Sequence, residues 1–219
     1  MKSRNVLLGL FVGICVCFAG SVSAQKANYR SDKLVEIGPD NLGGRTTSLV
    51  IMGNPSQAYA GAASGGLYVY DGSKWEYLPC YIDNKEVTLP ISSMLTINES
   101  LILIGTGESY YPKANRLNRF AAMGRGMFLF NTSTQTFTSL TRTVPQSTDA
   151  DFACVNEMDM MRSGATTYIF VATPKGLFRW NMENPEDIMA APVKVFDGNV
   201  DDVKVSQQFN RAFFTTGGR

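Results

Sequence analysis

Apolar side chains crowd together with period two in three stretches of this chain: Gly66-Leu67-Tyr68-Val69-Tyr70-Asp71, Gly126-Met127-Phe128-Leu129-Phe130-Asn131 and Gly176-Leu177-Phe178-Arg179-Trp180-Asn181. Each opens on glycine, continues with an aliphatic residue, sets two aromatics around a variable position and closes on Asp or Asn. Such a pattern describes a strand running into a turn. Its return at long, roughly regular intervals predicts a repeat architecture.

Taking each of these as the third of four strands organises the chain. The first unit reads as Thr46–Ile51, Ala58–Ala62, Gly66–Tyr70 and Lys74–Leu78, with Asp71-Gly72-Ser73 as a hairpin turn. The second reads as Ser92–Ile97, Leu101–Thr106, Gly126–Phe130 and Thr136–Leu140, and the third as Val155–Met161, Tyr168–Thr173, Gly176–Trp180 and Val193–Phe196. A fourth starts with Val203–Ser206 and Arg211–Thr216. Aligning Gly66, Gly126, Gly176 and Gly218 gives intervals of 60, 50 and 42 residues. Four short strands in about 40 to 50 residues predict the blade of an all-β β-propeller, with about three and a half blades present. The blades are expected near 45–80, 91–141, 154–197 and 202–219. Asn115–Met123 is the one stretch with the pattern of an amphipathic helix.

Each blade of such a ring packs on two neighbours, which accounts for 13 Phe, 9 Tyr and 10 Met. Thr215-Thr216-Gly217-Gly218 matches Ala63-Ser64-Gly65-Gly66, where a third strand starts. An open propeller exposes a sheet at each end. The expectation is therefore an amino-terminal piece of a longer protein whose closure lies downstream, with a four-blade ring completed by other means as the alternative.

Residues 1–24 read as an export signal: Lys2 and Arg4, an apolar run from Val6 to Ala19, and Val22-Ser23-Ala24 before Gln25. The run is short for a membrane span, and the residues before Cys15 and Cys17 are poor matches to a lipidation site. Domain 25–219 is then the propeller. Losing Lys2 and Arg4 turns the formal charge of +1 into −1. With no basic stripe, nucleic acid is not an expected partner. Without a polybasic cluster or a second apolar run, neither is direct membrane insertion of the mature chain. An exported chain permits a bridge between Cys80 and Cys154; two partly buried thiols is the preferred reading.

A family resemblance enters at the turns. Asp71-Gly72-Ser73-Lys74-Trp75 resembles the Asp-box hairpin of BNR-repeat propellers, found in sialidases and sortilin-like proteins. Ile37–Arg45 resembles the entry segment of their secreted bacterial members, and Gly105-Thr106-Gly107-Glu108 with Gly124–Phe128 resembles their second blade. The Gly-Leu-Tyr-x-Tyr-Asp units are also similar to regulator propellers, the periplasmic sensor halves of two-component systems. The resemblance implies a structural role for Asp71, Gly72 and Trp75: the Asp ties its own turn and the Trp packs between strands. Asn131–Phe137 is a degenerate second copy, and the third unit has no compact turn. Function does not follow from such a scaffold.

The chain has no histidine. That excludes Ser-His and Cys-His nucleophile pairs and His-based zinc sites. The two cysteines left after the leader cannot build a thiolate cage, and no Walker-type loop exists. Neither a cofactor nor a metal is expected. The surviving enzymatic option is glycoside hydrolysis by carboxylates. In a sialidase-like site, an arginine cluster, a Tyr-Glu pair and an acid would be required, for which Arg45, Arg125, Glu108, Tyr110 and Tyr111 are candidates. Arg45 is followed by Thr46-Thr47, so the Arg-Ile-Pro signature of that family is missing.

The segment from Gly107 to Gly124 stands where the other complete units have two or three residues. It carries Glu108, Tyr110, Tyr111, Lys113, Asn115, Arg116, Asn118 and Arg119. Long insertions on a rigid scaffold commonly bind, and Tyr and Arg are enriched at interface hot spots. Glu108, Tyr110, Tyr111, Arg116, Arg119, Arg125 and Arg45 are thus the expected ligand-binding residues. The expected product is an exported β-propeller at the bacterial surface or in the periplasm, binding a protein or glycan on the propeller face without chemistry of its own. A glycan-sensing propeller and a sialidase-like hydrolase are the alternatives.

Overall fold

The structure, a computed structural model, describes residues 45–52, 57–110 and 119–217. All lie within one of two compact units, Ile37–Arg219. The export signal, the 37–44 part of the entry segment and Gly218 lie outside the described residues.

The fold is all-β, with three four-stranded antiparallel sheets. The first holds β1 (Thr46–Met52), β2 (Gln57–Ala62), β3 (Gly66–Tyr70) and β4 (Trp75–Leu78) in chain order. A hairpin of β5 (Cys80–Ile82) and β6 (Lys85–Val87) follows. The second sheet holds β7 (Ile91–Thr96), β8 (Leu101–Thr106), β11 (Met127–Asn131) and β12 (Thr136–Ser139). Between β8 and β11 a second hairpin intervenes, β9 (Glu108–Tyr110) with β10 (Arg119–Ala122). The third sheet holds β13 (Glu157–Ser163), β14 (Thr166–Thr173), β15 (Gly176–Met182) and β16 (Val193–Asp197), and β17 (Asp202–Ser206) pairs with β18 (Arg211–Thr215). The twelve strands of the first three units stand where the period-two pattern puts them, shifted by one or two residues at their ends.

Two expectations need correction. Residues 119–122 of the predicted amphipathic helix form β10, because Arg119 and Phe120 pair with Tyr110 and Ser109. The β5–β6 hairpin was not foreseen. Its turn residues Asp83 and Asn84 both have positive φ, 50° and 59°, the conformation a two-residue hairpin turn demands and Asp and Asn tolerate.

Alternation along the central strands decides the packing. On β8, Ile102 and Ile104 join Tyr59, Leu67 and Val69 of the first sheet in one core, while Leu103 faces Ile169 and Val171 of the third sheet in another. On β14, Phe170 and Ala172 turn the other way, toward Val200 and Val203. A middle sheet is thus buried on both faces, which is why its central strands are apolar throughout instead of alternating with polar residues.

The first strand of each unit lies against the first strand of the next: β1 against β7, β7 against β13, β13 against β17. Equivalent side chains make the link. The Met94 N–H donates to Ser48 Oγ at 3.0 Å, and the Val205 N–H donates to Asp159 Oδ2 at 2.7 Å. Ser48 and Asp159 are both third residues of their strands, and Met94 and Val205 both fourth residues of the following first strand. A second repeated bond carries the chain from unit to unit. The Val155 N–H donates to the Thr106 carbonyl and the Val200 N–H to the Thr173 carbonyl, each at 3.0 Å.

Candidate binding site

Arg45 immediately precedes β1, and Glu108 opens β9 directly after Gly107. The foot of the β9–β10 hairpin is pinned on both sides. The Gly107 N–H donates to the Pro90 carbonyl at 2.8 Å and the Gly124 N–H to the Ala153 carbonyl at 2.8 Å. The Arg125 N–H donates to Thr106 Oγ1, also at 2.8 Å. Gly107 has φ of +91°, and a Cβ there would collide with the Ala153 carbonyl, so the position needs glycine. Glu108 is thereby fixed where the Arg45 guanidinium donates to its Oε1 in an ion pair at the surface.

This pair sits at the rim of a cavity of about 330 Å³, formed at the entry ends of the first strands of three sheets. The first unit brings Arg45, Thr46 and Thr47; the second brings Ser92, Gly107 and Glu108; the third brings Cys154 through Glu157. Its walls are held by bonds that run between sheets. The Thr47 hydroxyl donates to the Ile91 carbonyl at 2.7 Å, and Asn156 Nδ2 donates to the Val200 carbonyl at 2.7 Å. Glu157 Oε1 accepts from Lys204 Nζ at 3.1 Å, and the Cys154 thiol donates to the Gly107 carbonyl at 3.3 Å. Among the described residues, the buried Ser92 hydroxyl oxygen has no hydrogen-bond partner. A polar cleft with fixed donors and acceptors suits a ligand rich in hydroxyl or amide groups.

Of the residues expected to bind, the structure brings Arg45 and Glu108 together. Arg125 lines a separate cavity of about 400 Å³. Tyr110 and Arg119 are backbone partners across β9 and β10. Tyr111, Lys113, Asn115, Arg116 and Asn118 lie outside the described residues. Thr47, Ser92, Asn156 and Glu157 were missed. The signal that could have found them is positional: the first strand of each unit is entered through polar residues, Arg45-Thr46-Thr47, Ser92-Ser93 and Asn156-Glu157.

The turn residues behave as side-chain geometry dictates. Asp71 Oδ1 accepts from the Ser73 N–H at 2.8 Å, the Ser73 hydroxyl at 2.8 Å and the Lys74 N–H at 2.9 Å. Those backbone donors hold its carboxyl down to about 2. Asn131 repeats the arrangement, accepting from Ser133 at 2.9 Å and Thr134 at 3.1 Å. Gly72 has φ of +102°, and Trp75 packs on Tyr70 with ring centroids 5.3 Å apart. Cys80 and Cys154 are both buried and are not bridged to each other. Burial pushes the Cys80 thiol up to about 11, opposed by the charge of Arg125.

No family model matches the chain, and no curated protein matches it. Among solved structures, an extracellular domain described as part of a one-component system from B. thetaiotaomicron superposes with a TM-score of 0.33 at 13% identity. The match covers 79% of this chain and 26% of that one. Nothing functional carries over at that similarity. Among the described residues no helix is long and apolar enough to cross a membrane, and no group of three or more acidic or cysteine side chains is placed to hold a metal ion.

Proposed function

We propose that the chain is part of an exported β-propeller of the BNR/Asp-box kind and acts as a binding module, taking a glycan or a polar protein segment at the entry ends of its first strands. One observation carries this reading: three successive sheets contribute side chains to a single polar cleft, with Arg45 and Glu108 paired at its rim. The succession β1, β7, β13, β17 supports the radial arrangement, because a propeller lines its axis with the first strand of every blade. The repeated Asp71 and Asn131 turns support the family.

Binding is favoured over hydrolysis by the same cleft. Its two glutamates, Glu108 and Glu157, are each engaged by a cation, Arg45 and Lys204. Arg45 and Arg125 line different cavities, so the described residues do not assemble an arginine clamp for a sugar carboxylate.

The test is retention of the exported protein on immobilised glycans and peptides, with Glu108→Gln and Arg45→Ala beside the parent. Loss of roughly tenfold in affinity, with the thermal midpoint within a few degrees, is expected for an interaction through these charged groups. Unchanged affinity would discard the site, and release of a chromophore from a glycoside panel would replace binding with catalysis.

A further inference from the structure

Arg125 stands apart from the polar cleft. It follows Gly124 at the foot of the β9–β10 hairpin and lines the 400 Å³ cavity together with Ile82 of β5, Met123, Phe128 of β11, Val144 and Pro145. Ser139 is the other polar side chain there. The walls come from four separately fixed pieces: the β5–β6 hairpin, the foot of the β9–β10 hairpin, the paired strands β11 and β12, and the segment after the 3₁₀ turn Thr141–Thr143. Phe128 is buried at the back, whereas Met123 and Val144 remain 39% and 41% exposed at the mouth.

Charge decides what such a cavity takes. Arg125 is the single charged side chain among those lining it, and it forms no ion pair among the described residues. Its backbone is held by Thr106 Oγ1, so the exposed guanidinium rises from a fixed point beside the apolar wall. A planar cation next to a hydrocarbon surface matches a carboxylate on an apolar body: the guanidinium takes the carboxylate through two parallel bonds, and the walls take the rest. The volume falls within the range of small-molecule pockets, about 300 to 1,000 Å³.

We propose that this cavity is a second binding site, distinct from the polar cleft, for a small monocarboxylate with an apolar or aromatic body, held by Arg125 at its mouth. The site binds without chemistry and does not depend on the function assigned to the cleft.

The experiment titrates the whole protein with 3-phenylpropionate and, separately, with its neutral amide, by calorimetry. Saturable binding of the carboxylate, with the amide roughly tenfold weaker or worse, is expected for one charge-assisted pair. Arg125→Gln should weaken carboxylate binding to the level of the amide. Val144→Asp, which places a negative charge at the mouth, should abolish it, both variants keeping the parental thermal midpoint. Equal binding of acid and amide, full affinity in Arg125→Gln, or no saturable binding of the acid in the low-millimolar range overturns the proposal.

Discussion

Gly105 and Val155 touch so closely that a single methyl group would not fit between them: a Cβ on Gly105 would lie 2.5 Å from Val155 Cγ1 and 2.7 Å from its Cβ. Gly105 is the last residue but one of β8, and Val155 enters the next sheet. The same contact recurs one unit earlier, where a Cβ on Gly61 would collide with Ile91. One unit later Ala172 shares a core with Val200. Successive sheets therefore meet through a small residue at the end of the second strand and an aliphatic one at the start of the next unit.

Gly105→Ala is expected to cost about 1 to 3 kcal/mol, since the barrier is a β-branched side chain met as far in as its Cβ and not a flexible tip. Guanidinium melts measure it. A change within about 0.5 kcal/mol, the range of ordinary surface substitutions, would mean that the sheets are free to move apart.

Asp159 holds two N–H groups at once, Met160 at 2.8 Å and Val205 at 2.7 Å, the latter on the neighbouring strand β17. Asp159→Ala should cost about 1 to 3 kcal/mol by stranding a half-buried donor. Asp149→Ala, which removes only a surface pair with Lys175, should cost about 0 to 1 kcal/mol. Parity between the two in a denaturation experiment would argue against the first-strand link.

The Asp71 carboxyl lies at about 2 in the folded chain, below its ordinary 3.8. The folded state therefore releases that proton more readily than the unfolded one. Its stabilisation is complete above pH 4 and is lost as pH falls toward 2. An NMR titration should place the midpoint near 2. Asp71→Asn keeps an acceptor, as Asn131 does, and should remove this pH dependence while the turn survives; Asp71→Ala should lose both.

Cys80 shifts the opposite way, from 9.0 up to about 11, through burial. The folded state keeps its thiol proton longer than the unfolded state. Stability should thus be full below pH 9 and decline between pH 9 and 11. Labelling with a thiol reagent at pH 8 should be slow in the native protein and fast on unfolding. Rapid native labelling of Cys80 would contradict its burial.

If residues 1–24 direct export, the mature protein isolated from an expressing bacterium should begin at Gln25. Edman sequencing or intact mass decides this, and an uncleaved amino terminus would remove the leader.

Much of the fold was legible because a strand buried on alternating or both faces writes its period directly into the residues. The Gly66, Gly126 and Gly176 stretches marked third strands, and the remaining strands followed by interval. The β5–β6 hairpin was not legible: three residues per strand are too few for a period, and its turn signal, Asp83-Asn84, was the only clue. β10 was misread as helix because Arg119-Phe120-Ala121-Ala122 suits either element; pairing with β9, a tertiary fact, decided it.

The candidate site was half legible. Arg45 and Glu108 stood out as charged residues beside glycines, yet 63 positions separate them. Thr47, Ser92, Asn156 and Glu157 carried no motif.

By itself, the order of apolar and polar residues determined which segments are strands, where each unit begins, and that histidine-dependent chemistry is excluded, since these depend on side-chain type and local spacing alone. Which residues share a cavity, and that Arg125 parts company with Arg45, was decided only when the sheets stacked. Contacts between residues far apart in the chain depend on how whole faces pack, and no local period records them.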